Sequence, residues 1–316
     1  MASLKLFTQW REKGSDMSQL HPSGADDPDA IALAERTRMA RAVEGAWCAA
    51  WASLGALPYQ PRSLVDDTAT MLRVVTPGLP ETLMNMVMRY RAPGPVASDA
   101  VEAAIAPYRA HRLPFQWWLI RDDAPAGLRE RLHALGMLSW GGATMMYLDL
   151  AEWKPNYPPA APGISYRRIT PESDDPDRSD ALRIISEVFD TPPFPMSRWT
   201  NENPAFALYL AHWWNQPVAT VATLPVGETV GVFHVATLPE ARRRGIAGNL
   251  LALALHDAQA AGSQNAALTA TLEGQHLYTQ LGFRVCGLLE QWMVGPRLGA
   301  ELLRGARFNP SGQRGE

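Results

Sequence analysis

The stretch Val235–Leu255, VATLPEARRRGIAGNLLALAL, gathers the densest set of groups that could do chemistry. An apolar run ends at Thr237. A loop then carries Arg242, Arg243, Arg244, Gly245, Ile246, Ala247 and Gly248, and a leucine-rich helical pattern starts at once. The first amides of a helix have no intrahelical partner and sit at the positive end of its dipole. Small residues let a phosphate approach those amides, and arginines add charge and paired donors. The chemistry on offer is anion binding on the scale of a pyrophosphate. A basic turn closed by a glycine cap is written in the same residues, and composition alone leaves both open. The glycines fit neither the dinucleotide-binding fingerprint nor the Walker loop, whose Lys-Ser/Thr pair is missing.

Arg242-Arg243-Arg244-Gly245-Ile246-Ala247 fits the pattern Gln/Arg-x-x-Gly-x-Gly/Ala, and Leu277-Tyr278-Thr279-Gln280-Leu281-Gly282-Phe283 follows it downstream. In these two motifs, their order and their separation, Ile164 to Val294 resembles the GNAT superfamily of acyl-CoA-dependent N-acyltransferases. The resemblance implies a GNAT-like α/β fold, with a mixed, mostly antiparallel sheet flanked by helices. It implies acetyl-CoA as cosubstrate and no metal. The backbone of Val235, Ala236 and Thr237 would hydrogen-bond the pantetheine arm like an added strand. The bend from Arg242 to Gly248 would hold the pyrophosphate. Tyr278 falls where the family places a general acid for the departing thiolate, and a phenol near its ordinary pKa of about 10 is protonated at neutral pH. An amide near Val235 would stabilise the oxyanion. Family members often carry Glu on the central strand. Val230 to Ala236 offers only His234, which reads either as a base or as a packed pocket histidine.

The elements that must position these groups follow from the text around them. Of 316 residues 47% are apolar and 19% charged, with a formal net charge of −3. That suits a chain with a real core and two ordinary domains, and gives no strong field for nucleic acid or an anionic membrane. Cys48 and Cys286 form no disulfide framework and no zinc spacing, as expected of free thiols in a reducing, cytoplasmic setting. Residues 1–27 read as a loose leader without a secretory pattern, and no apolar run reaches membrane length. A helix runs from Pro28 to about Gly55. Leu72–Val75 reads as a strand, Pro80–Tyr90 as a methionine-bearing helix, and Ser98 as the cap of a helix towards Tyr108. Phe115–Ile120 reads as a strand, in which Trp117 and Trp118 should face opposite ways.

Pro155, Pro158, Pro159 and Pro162 mark 154–163 as a stiff linker. Beyond it strands and helices alternate around one hairpin, turning at Asn215-Gln216-Pro217. Leu128–Leu150 echoes Leu277–Val294 but lacks the arginine-glycine bend. The expected organisation is therefore two tandem lobes: a degenerate GNAT-like copy at 28–153, a catalytic GNAT domain at 164–296, and a tail at 297–316. The expected partners are a small-molecule amine and, in a homodimer, a second copy, with no nucleic acid and no membrane. Pro192-Pro193-Phe194-Pro195 and Trp199 hint at an apolar or aromatic acceptor. The rival expectation is a non-catalytic acyl-CoA-binding protein of the same fold.

Overall fold

The computed structural model describes residues 33–57, 60–154, 162–169, 176–190 and 203–303. The leader, most of the proline linker, the Pro192–Pro195 run, Trp199 and the end of the tail lie outside them. In chain order the elements are α1 (Leu33–Ala52), β1 (Leu64–Asp67), β2 (Leu72–Val75), β3 (Met86–Met88), α2 (Ser98–His111), β4 (Gln116–Ile120), α3 (Leu128–Ala134) and β5 (Met137–Asp149). There follow β6 (Ile164–Ile169), α4 (Pro176–Phe189), β7 (Ala207–Trp213), β8 (Gln216–Val226), β9 (Thr229–Thr237), α5 (Ile246–Ala260), β10 (Asn265–Ala270), α6 (Leu272–Gln280), β11 (Arg284–Val294) and α7 (Pro296–Leu303). Among the described residues, no helix is long and apolar enough to cross a membrane.

The chain forms two compact units. The larger takes α1, Ile120–Asp123 and Gly142–Leu289, and the smaller takes the stretch from Tyr59 to Leu119, Ala124–Gly141 and the chain from Glu290. β5 and β11 each begin in one unit and finish in the other. In the larger unit the strand order is β11-β5-β10-β9-β8-β7-β6. The pairs β5/β10, β8/β9, β7/β8 and β6/β7 are antiparallel, and β9/β10 is parallel. A mixed, mostly antiparallel sheet of this kind needs helices on its faces.

Period-2 alternation assigns those faces. Val230 and Val232 of β9 join the apolar cluster of α5, with Ile246, Leu250, Leu251 and Leu255. The intervening Gly231 and Phe233 meet the other side, where Ala46 and Trp47 of α1 lie. α1 turns Met39, Val43, Ala46 and Ala50, all buried, towards β8, β9 and β10 at spacings of four, three and four. The sequence alone assigns this helix to the N-terminal lobe. It belongs to the larger unit instead, because its apolar stripe covers that sheet. A Cβ on Gly231 would lie 2.7 Å from the Phe233 ring and 3.1 Å from Ala46 Cβ. Gly231→Val is therefore expected to lower stability by about 1–3 kcal/mol through overpacking, read as a shift in urea midpoint at unchanged slope.

The smaller unit has the order β1-β2-β3-β4-β11. Its β1 is not anticipated from the sequence, and the expected helix at Pro80–Tyr90 is a short 3-10 turn at Thr82–Met84 followed by β3. Asn85 decides this. Its Oδ1 accepts from the Thr76 amide at 2.7 Å, and its Nδ2 donates to the Leu79 and Glu81 carbonyls at 3.0 and 2.9 Å. Those bonds fix a strand entry where methionine spacing alone suggests a helix. Ser98 is the first residue of α2 rather than its cap, and Ala97 precedes it without a side-chain bond. Pro107 lies inside α2 and cannot donate to the Ala103 carbonyl; Arg73 Nη1 does so at 3.1 Å. Trp117 and Trp118 are both buried. The predicted tail is partly helical, as α7 buries Leu298 and Leu302.

The two units repeat one connection: strand, long helix, parallel strand, short helix, strand. α3 ends at Leu135 with Gly136 at φ 87°, and α6 ends at Leu281 with Gly282 at φ 96°. Glycine serves there because a left-handed cap excludes a Cβ at little cost only for glycine.

Candidate active site

The site is built at the end of β9. This strand pairs in parallel with β10 at only three positions, Asn265↔Thr229, Ala266↔Val230 and Ala267↔Gly231. Beyond Gly231 the two strands part, so among the described residues the β10-facing edge of β9 from Val232 to Thr237 has no strand partner. On its other side β9 still pairs β8, with a register shift between Thr220 and Ala222. His234 and Val235 there oppose a single residue, Val221, and His234 has φ 50°. This is a β-bulge with its first residue left-handed. It lets Phe233 and His234 both reach the α1 and α4 side, where His234 meets Phe189 with centroids 6.3 Å apart. Val235 packs with the α5 cluster. The Thr237 hydroxyl oxygen is buried and has no hydrogen-bond partner among the described residues.

The bend after β9 turns once at Pro239–Ala241 and enters α5 through Gly245, at φ 74°. Arg243 is left-handed as well, at φ 63°. Among the described residues the amides from Arg243 to Gly248 donate to no backbone carbonyl; the first helical bond is Asn249 N to Gly245 O, at 3.1 Å. Two arginines are committed by geometry. Arg242 Nε donates to the Thr237 carbonyl at 3.1 Å, and the Arg244 guanidinium stacks 4.1 Å from the Trp213 ring centroid. Arg243 is exposed and makes no ion pair among the described residues. Amides without a backbone acceptor, a helix dipole and an exposed cation are together the makings of an anion cradle.

Tyr278 sits on α6, whose start is capped by the Thr271 hydroxyl accepting from Gly274 N at 3.2 Å. Its ring lies over Gly274, where a Cβ would come within 2.9 Å of it, and meets Phe283 edge-on at 6.0 Å. It belongs to the same apolar cluster as Ala241, Ile246 and Val235. Tyr278, the bend and the end of β9 thus all border one apolar cluster. The Tyr278 hydroxyl has no hydrogen-bond partner among the described residues, and burial raises its pKa above the ordinary phenol value. It is a protonated donor at neutral pH.

His234 is not in that cluster. It is half-buried, yet enclosed closely enough that desolvation lowers its pKa to about 4. It is neutral at pH 7 and a weak base. Because the folded state resists the proton, stability should fall as pH drops from about 6.5 towards about 4. A urea-midpoint profile over that window should flatten in His234→Gln.

Residues 204–285 match the family model described as an acetyltransferase (GNAT) domain. Over that stretch the chain is similar to a GNAT domain. The GNAT fold extends well beyond those residues. A GCN5-related N-acetyltransferase from Kribbella flavida superposes with a TM-score of 0.59 at 19% identity, over 79% of this chain and 95% of that one. Another from Sphaerobacter thermophilus gives 0.52 at 17%, over 82% and 94%. A tandem GNAT protein from the clavulanic acid biosynthesis pathway gives 0.50 at 14%, over 84% and 98%. No curated protein matches the chain in sequence.

Among the described residues the smaller unit has no counterpart of the arginine-glycine bend. Where its β3 leads to α2, Pro93 and Pro95 have no N–H, and Val96 N already donates to Ala126 O at 3.0 Å. Asp99 adds negative charge to the first turn and takes the Ala100 amide at 2.9 Å. Three features of the candidate site are not anticipated from the sequence: Trp213 as the platform for Arg244, Gly274 as the space for Tyr278, and the buried Thr237 hydroxyl. Of these only Gly274 carries a local signal, four residues before Tyr278 on one helix face.

Proposed function

We propose that the larger unit is an N-acyltransferase that moves an acetyl group from acetyl-CoA to a primary amine of a small molecule. The observation that carries this is the parting of β9 from β10 beside a run of amides with no backbone acceptor. An open strand edge suits an extended amide-bearing chain such as pantetheine. In this reading Val235, Ala236 and Thr237 receive that chain, and Arg242 to Gly248 hold the pyrophosphate. The amides are free, Arg243 is available, and the buried Thr237 hydroxyl seeks a partner, so the residues present fit acetyl-CoA. Bound acetyl-CoA supplies an activated thioester carbonyl. The chain's own residues align the amine, stabilise developing negative charge by an amide near Val235, and return a proton through Tyr278.

His234 at a pKa of about 4 is too weak to serve as the principal base. A neutral amine can instead lose its proton to water after attack. Two buried cysteines without a disulfide suit a reducing, cytoplasmic setting.

Thermal unfolding with acetyl-CoA tests the reading. Saturation at about a hundred times Kd adds about 2.7 kcal/mol, worth roughly 5–10 °C in Tm. Release of free thiol from acetyl-CoA in the presence of an amine panel then separates catalysis from binding alone. A protein whose Tm ignores acetyl-CoA overturns the proposal.

A further inference from the structure

We infer that Arg244, held over Trp213, is a specificity-determining residue for the nucleotide end of the cosubstrate. Its guanidinium takes the ribose 3′-phosphate that distinguishes coenzyme A from its dephospho form. This rests on the acyltransferase reading and deepens it. The three consecutive arginines of the bend are not equivalent. Arg242 Nε is committed to the Thr237 carbonyl, and Arg243 is simply exposed. Arg244 is exposed too, but its guanidinium carbon stands 4.1 Å from the Trp213 ring centroid, and among the described residues it makes no ion pair. Trp213 is a fixed platform. It ends β7, pairs with Ile164 of β6 on one side and Gln216 of β8 on the other, and packs against the α5 apolar cluster. A guanidinium resting on an indole face keeps N–H donors for a phosphate. Stacking also settles the side chain beforehand, so less rotamer freedom is lost when an anion arrives.

Position decides which anion. Trp213 lies two strands from β9 on the β7 side, whereas β10 and the gap lie on the other side. Tyr278 follows β10, in α6. A cosubstrate with its diphosphate on the bend and its thioester at the gap has its nucleotide left to extend towards β7. Coenzyme A carries one further phosphate there, on the ribose. The Arg244 amide stays with the diphosphate while its side chain meets this third group. A guanidinium N–H opposite a phosphate is the strong class of hydrogen bond, and among the described residues no carboxylate pairs with Arg244 to compete for it.

Calorimetric titration of the full chain with coenzyme A and with 3′-dephospho-coenzyme A tests this. Wild type should prefer coenzyme A by more than about tenfold. Arg244→Gln should bring the ratio of the two dissociation constants close to one. Trp213→Leu should cut the preference although the arginine remains, and Trp213→Phe, which restores a ring face, should recover most of it. A general disturbance of the bend would weaken both ligands alike and leave the ratio as it is. Equal wild-type affinities overturn the inference, and so does a full preference in Arg244→Gln or in Trp213→Leu. Binding of neither ligand counts against the acyltransferase reading and takes this inference with it, whereas equal binding of both sinks this inference alone.

Discussion

Gly245→Glu is expected to abolish acetyl-CoA binding while leaving the fold intact. Two effects act on one residue. Gly245 has φ 74°, a conformation that costs a residue with a Cβ about 1–2 kcal/mol. Space is not the obstacle, since a Cβ there would lie 3.5 Å from Asn249 Nδ2, an ordinary contact. The larger effect is electrostatic. The new carboxylate would stand at the α5 N-terminus, over the amides proposed to hold the diphosphate. Two unit charges about 4 Å apart at an effective dielectric near 20 repel by roughly 4 kcal/mol, close to a thousandfold in Kd. The same carboxylate is favourable to the helix itself, because it answers the dipole and the free amides. Stability should therefore change little while affinity collapses, and that split separates a binding effect from misfolding. Gly245→Ala carries only the backbone cost and should weaken binding about tenfold at most. Calorimetric titration with acetyl-CoA decides it, and wild-type affinity in Gly245→Glu would remove the bend from the site.

Tyr278→Phe is expected to lower kcat by about 100- to 10,000-fold, the range for loss of a positioned general acid. Acetyl-CoA affinity should be unchanged. The hydroxyl makes no hydrogen bond among the described residues, while the ring fills space over Gly274 and against Phe283. Phenylalanine keeps the ring and removes only the proton donor, so Tm should hold or rise slightly. The raised pKa has a further consequence. Tyr278 keeps its proton well into alkaline solution, so the wild-type kcat profile should show no loss from this group below about pH 10. Single-turnover rates with a competent amine test both points. An unchanged rate in Tyr278→Phe would assign proton return to water.

What the sequence by itself determined is local. Arg242 to Gly248 are consecutive, so one bend and one helix start must bring their amides and charges together wherever the chain goes. Leu277 to Phe283 likewise lie on one helix and its glycine stop, so Tyr278 and its cap were legible at once. The strands of the β7–β8–β9 meander follow from apolar runs, though the hairpin turns at Trp214 and Asn215, one step earlier than the expected Asn215-Gln216-Pro217. The echo between Leu135-Gly136 and Leu281-Gly282 also stands in the text, because a helix stop is a short-range device.

Tertiary structure decided the rest. Trp47 lies 186 residues from Phe233, and no periodicity in α1 says which sheet its stripes will cover. The same holds for Arg244 on Trp213, for the three-pair limit of β9 on β10, and for the bulge that turns His234 away from the Tyr278 cluster. Buried Met86 and Met88 lie in a strand because Asn85, just before them, found backbone partners that helical spacing could not foresee. Local backbone chemistry is written in neighbouring residues. Which faces meet is settled only when distant apolar stripes compete for the same surface.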